Sequence, residues 1–222
     1  ISSKLPRVGT SIFTEMSHMA NQYKAINLSQ GFPDFDVDKE LIKLVEKYLN
    51  KGIHQYAPMQ GAMQLREAIS QKIQLQHEIS YDPNSEVTIT AGATQAIFTA
   101  ISAFVKEEDE VIIFTPAYDC YEPTIELNGG RPVFVQLKSP DFKINWEEVK
   151  KLISQRTKMI IINTPHNPTG TTLEEHDLKE LEKITKDSEI IILSDEVYEH
   201  IIFDDRPHQS ICKYPELASR SI

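Results

Sequence analysis

The chain has 222 residues, 40% hydrophobic and 25% charged, with 23 basic against 33 acidic residues and a net charge of −10. That is the composition of a globular protein able to bury a large core, and an acidic balance with no basic block argues against nucleic acid as a partner. No apolar stretch approaches the about 18 residues that a membrane span needs, and the start "ISSKLPRVGTSIF" lacks the charged-then-apolar layout of a signal peptide. Cys120 and Cys212 show neither CxxC spacing nor a neighbouring ligand pair. They read as free thiols in a reducing compartment, so a cytoplasmic location is expected.

In chain order, "DKELIKLVEKYLN" (38–50) sets Leu41, Leu44, Val45, Tyr48 and Leu49 at helical spacing, with Gly52 as a stop. A polar loop, "GIHQYAPMQG", leads to a second predicted helix at 62–76. From 86 onward short β-branched runs alternate with helical stretches. Strands are predicted at 86–90, 110–115, 131–137, 158–163 and 189–194, and helices at 93–105, 119–127, 145–155 and 172–185. The alternation predicts an α/β fold of βαβ units: a mostly parallel sheet between two helical layers. No internal repeat, low-complexity tract or Gly/Ser linker interrupts it.

Ligands of such sheets bind beyond the carboxyl ends of the strands. After 86–90 comes "AGATQA", small residues feeding a helix whose first N–H groups lack internal partners, which suits an anion. After 110–115 comes "TPAYDCYEP", with Tyr118 and Tyr121 beside a proline. After 158–163 comes "NTPHNPTG", where Pro165 and Pro168 end ladder pairing and stiffen the backbone around Asn167. After 189–194 comes "SDEVYEH", with Asp195 at the mouth of an apolar strand and Tyr198 three residues on. Each has an ordinary explanation: a tight turn, a half-buried tyrosine, a loop, a helix cap. Together they offer an anion cradle, an aromatic face, an amide and a carboxylate. A phosphorylated, flat, cationic ring such as pyridoxal 5′-phosphate uses all four.

"NLSQGFPDF", "HQYAPMQG", "TAGATQAIF", "TPAYDCYEP", "NTPHNPTG" and "SDEVYEH", in this order, resemble the fold-type I pyridoxal-phosphate aminotransferases of class I/II, nearest the kynurenine, glutamine and methionine aminotransferase branch. The resemblance covers nearly the whole chain. It implies that Ala93 and Thr94 contact the cofactor phosphate, that Tyr118 stacks on the ring, and that Asn167 and Tyr198 bond the ring hydroxyl oxygen. Asp195 would pair with the ring nitrogen. Gly31 would meet the substrate carboxylate, with Asn167 also on the substrate side, and Tyr56 would reach the cofactor phosphate of a neighbouring subunit in a homodimer.

The resemblance also implies an arm and the start of a small domain over 1–36, and a large cofactor-binding domain over 37–222. The family's cofactor-bonding lysine is expected beyond Ile222, with the C-terminal small domain, because Lys213 in "SICKYP" stands too near Asp195 and reads as a surface residue. The implied activity is transfer of an amino group from a neutral, sizeable amino acid to a 2-oxo acid. A β-eliminating C–S lyase shares every motif quoted, and a ligand-sensing domain of the same fold is a further alternative. A nucleotide-binding domain lacks both phosphate-loop signatures.

Overall fold

The computed structural model describes residues 2–6, 8–31, 33 and 35–222. Three helices come first: α1 (Ile12–Tyr23), α2 (Lys39–Asn50) and α3 (Met63–His77). The layered part follows as α4 (Ala93–Phe104), β1 (Glu110–Thr115), α5 (Tyr121–Leu127), β2 (Arg131–Gln136), α6 (Trp146–Leu152), β3 (Thr157–Asn163), α7 (Glu175–Thr185) and β4 (Ile191–Asp195). A 3₁₀ turn at Ile211–Lys213 and α8 (Pro215–Ala218) close the chain.

The four strands form one parallel sheet in the order β2-β1-β3-β4. Both faces are covered, which is why β1 and β3 are continuous apolar runs with no polar alternation. Successive side chains leave a strand on opposite faces. Val111, Ile113, Met159 and Ile161 therefore meet Ile97 and Ile101 of α4 and Ile125 of α5. Ile112, Phe114, Ile160 and Ile162 meet Trp146 and Val149 of α6 and Leu178 and Leu181 of α7. The result is the expected three-layer arrangement.

Local chemistry sets the helix starts. Asn145 accepts from the Glu148 N–H, Asp38 from Glu40 and Ser11 from Thr14, while Glu174 and Asp177 cap α7 reciprocally. Trp146 Nε1 donates to Asp177 Oδ1 at 2.8 Å, tying α6 to α7. Gly130 precedes β2 because a Cβ there would lie 2.6 Å from Val105 Cγ1.

Two readings are corrected. Residues 86–90 form no strand: among the described residues their alternation of Val87 and Ile89 finds no neighbouring strand to pair with, and Ile89 N–H donates to Gln60 O at 2.9 Å instead. The helix α1 falls where none was expected. α2 forms as predicted, but its apolar stripe is left exposed: Leu41, Leu44, Val45, Tyr48 and Leu49 all face outward. No helix among the described residues is long and apolar enough to cross a membrane.

Candidate active site

From β1 the chain leaves to β2 on one side, then crosses back to β3 on the other, so the strand order reverses between β1 and β3. The carboxyl ends of the strands there are the expected place for a ligand. Residues from four segments meet around it.

Asp195 ends β4 and pairs in register with Asn163, the last residue of β3. Its Oδ2 accepts from the Tyr121 hydroxyl at 2.7 Å, and its Oδ1 from the Val197 N–H at 3.3 Å. Among the described residues no lysine, arginine or histidine lies within ion-pair distance of this half-buried carboxylate. Burial first, and then the charge of Asp195, push the Tyr121 phenol far up, so Tyr121 remains a donor. Burial, followed by Asp119 and Asp195, pushes the Cys120 thiol up to about 12, which leaves it protonated and unreactive.

Asn163 braces the loop after β3. Its Nδ2 donates to the Asp195 carbonyl at 2.9 Å, while its Oδ1 accepts from the Asn167 N–H at 2.7 Å. Within "NTPHNPTG", His166 N–H donates to Thr171 O, and Gly170 N–H donates back to His166 O, both at 2.8 Å. The bonds before Pro165 and Pro168 are cis. The loop is thus held by a buried amide and by its own backbone as well as by its prolines. Among the described residues the Asn167 side-chain amide has no protein partner, and Asn167 is half-buried.

Thr94 Oγ1 is 3.3 Å from the Tyr118 hydroxyl, and the Tyr118 and Tyr121 rings meet edge to face at 5.8 Å. One chain of contacts therefore runs from α4 through Tyr118 and Tyr121 to Asp195, Asn163 and Asn167. α4 begins after Gly92 (φ 86°) with no side-chain cap. Gln95 turns back to the Ala91 N–H at 2.5 Å, which leaves the N–H groups of Ala93, Thr94 and Gln95 exposed and unpaired among the described residues. Those donors and the helix dipole face an anion at little cost.

The remaining predicted residues stand outside this chain of contacts. Tyr198 lines a cleft of about 170 Å³ with Pro165, His166 and Phe203, beside the octapeptide loop. Tyr56 is fully exposed, and Gly31 is exposed with no atom near a Cβ built on it. Lys213 is exposed on the 3₁₀ turn, its Nζ donating to His208 O at 3.3 Å. A larger cleft, about 280 Å³, shares Asn163 and His166 with the loop but includes neither Asp195 nor Tyr118. Sequence reasoning missed Asn163 as a brace and Tyr121 as the donor to Asp195; a polar residue closing an apolar strand was the one available signal for the first.

The family model described as aminotransferase class I and II matches residues 23–221. The chain belongs to that family. It is 46% identical to methionine aminotransferase of Escherichia coli (strain K12) over 220 residues, 99% of this chain and 57% of that protein. Identity to aspartate aminotransferase of Pyrococcus abyssi (strain GE5 / Orsay) is 39%, over 100% of this chain and 58% of that protein. A crystal structure of an Escherichia coli protein identified with a methionine aminotransferase function superposes with a TM-score of 0.97 at 46% identity, covering 100% of this chain and 58% of the other. The chain thus spans a little over half the length of the relatives it matches.

Proposed function

We propose that the protein containing this chain is a pyridoxal-phosphate aminotransferase acting on a neutral, sizeable amino acid such as methionine, glutamine, kynurenine or an aromatic amino acid. One observation carries the reading: the Asp195 carboxylate ends a buried strand, oriented by Tyr121 and Val197, with no cation in reach among the described residues. Such a group calls for a cation from a ligand, and a protonated pyridine nitrogen is one. The unpaired N–H groups at the start of α4 suit the phosphate, and the contacts linking them to Asp195 span the two ends of one small molecule. The residues present fit the cofactor.

When bound, pyridoxal phosphate supplies the electron sink that labilises bonds at the amino-acid α-carbon. The work of this chain is to hold it. Ala93 and Thr94 would donate to the phosphate, Tyr118 would cover a ring face, and Asn167 with Tyr198 would donate to the ring oxygen. Asp195 would keep the proton on the ring nitrogen. Gly31 and Asn167 would meet the substrate, and the proton transfers at the α-carbon would fall to the family's lysine.

A homodimer in the cytoplasm completes the proposal, with Tyr56 reaching the neighbouring site. The exposed stripe of α2 and the full exposure of Tyr56 support a covering partner. The alternative chemistry on the same framework is C–S β-elimination. Assay of the full-length protein separates the two. Oxo acid formed from methionine only when a second 2-oxo acid is supplied is the expected result, whereas ammonia and pyruvate from cystathionine without an acceptor would mark a lyase.

A further inference from the structure

The turn after β4 carries two consecutive carboxylates, and only Asp195 belongs to the constellation above. Glu196 is buried the other way, its side chain 17% exposed. Its Oε1 accepts from Ser194 Oγ at 2.8 Å and from the Ile211 N–H at 3.0 Å, and its Oε2 is 2.6 Å from Nε2 of His208, whose side chain is 9% exposed. Burial works to raise this carboxyl's pKa, but the bonds from His208, Ile211 and Ser194 outweigh it and hold the value below the ordinary range. Glu196 is therefore ionised, and His208 Nε2 donates.

Both ends of this contact are anchored. The His208 ring packs 6.5 Å from that of His77 at the end of α3, and the Lys213 ammonium donates to the His208 carbonyl. Ile211 sits in the core, and residues 220–222 run along the outer edge of β4, where Ser194 N–H donates to Ile222 O at 2.9 Å. At the other end, Glu196 lies between Asp195 and Val197, the two residues joined by the Asp195 Oδ1 bond. The Glu196 carbonyl accepts from Glu199 N–H at 3.0 Å, closing the turn that holds Tyr198. A shift of Glu196 moves both partners proposed for the cofactor ring.

We propose that Glu196 and His208 form a clasp that fixes the 195–198 turn and so orients Asp195 and Tyr198 toward the cofactor ring. Both are positioning residues. The inference rests on the cofactor reading given above, which assigns Asp195 and Tyr198 to the ring.

The test uses the full-length enzyme with His208→Leu, which removes the donor, and His208→Gln, which keeps an N–H near the Nε2 position. Amide hydrogen exchange over 194–201 and the dissociation constant for pyridoxal phosphate are measured together. Loss of one charge-assisted bond should speed exchange over 194–201 and weaken cofactor binding by about tenfold each, with exchange in β1 and β3 unchanged and most of both effects recovered in His208→Gln. Should His208→Leu fail to accumulate folded, Glu196→Gln, which keeps the shape and loses the charge, is expected to give the same two changes.

Exchange and affinity both within about twofold of wild type would overturn the clasp, as would loosening that spreads into β1 and β3. Asp195→Asn is the reference. If it leaves cofactor affinity unchanged, the cofactor reading fails and takes the inference with it; if it weakens affinity while the His208 and Glu196 variants do not, the clasp alone is wrong.

Discussion

The Tyr121 hydroxyl donates to Asp195 Oδ2 over 2.7 Å, joining the first turn of a helix on one face of the sheet to the last residue of its edge strand. In the full-length enzyme, Tyr121→Phe removes a hydrogen bond to a charged group, worth about 1.5–3 kcal/mol. The variant should fold, because the ring remains packed, and should bind pyridoxal phosphate about 10- to 100-fold more weakly. Titration of the apoenzyme with cofactor measures it, and an unchanged dissociation constant would remove Tyr121 from the site.

Asp195 itself gives the larger effect. Asp195→Ala takes away one member of the proposed buried charge pair, a loss of roughly 3–5 kcal/mol. Transamination by the full-length enzyme should fall by orders of magnitude in kcat/KM. Activity within about tenfold of wild type, or ~1.4 kcal/mol on the barrier scale, is the outcome that refutes a ring-nitrogen role.

Asn163 is 9% exposed and makes both of its side-chain bonds to backbone, one to β4 and one to its own loop. Asn163→Ala leaves the Asn167 N–H without a partner, while the Asp195 carbonyl keeps the Thr164 N–H at 3.0 Å, so destabilisation of about 1–3 kcal/mol is expected. Because the brace also sets where Asn167 stands, cofactor affinity should fall with it. Denaturant unfolding and cofactor titration of the same variant separate the two effects; a stability loss with wild-type affinity would make Asn163 purely structural.

The strands of this fold were legible because central parallel strands are apolar on both faces, and "VIIF" and "MIII" have no other comfortable place. Residues 86–90 carry an equally good local pattern and form no strand, since pairing depends on a neighbour that a local pattern does not reveal. Asp195, Asn167 and Tyr118 were findable as polar residues where strands end, and Thr94 as a polar residue at a helix start. The roles of Tyr121, Asn163 and Glu196 were not legible, because they are contacts: Tyr121 meets Asp195 across 74 positions, and Asn163 meets it across 32. Periodicity and turn chemistry reach only a few residues along a chain. α1 has a sound cap in Ser11 and apolar residues at helical spacing in Ile12, Met16, Met19 and Tyr23, a signal that the sequence reading passed over.

His166 gives the pH dependence. It is 9% exposed, with Nδ1 2.8 Å from Thr169 Oγ1, and burial lowers its pKa from the ordinary 6.5. As pH falls below 6.5 the unfolded chain takes up a proton before the folded one does, so protons favour unfolding. The stability attached to a neutral His166 is fully present above 6.5 and is lost as pH falls from there toward the depressed folded value. His77, lowered by burial and then by Lys213, adds a slope of the same sign, whereas Glu196 and Glu110, both lowered from 4.5, add theirs only in more acid solution. Denaturant unfolding at pH 8, 7, 6 and 5 should therefore show stability falling toward pH 5. His166→Gln, which has no charge to gain, should fall less steeply between 7 and 5 while keeping a residual slope from His77. Parallel curves for wild type and variant would mean that His166 is protonated as easily in the folded protein as in the unfolded chain.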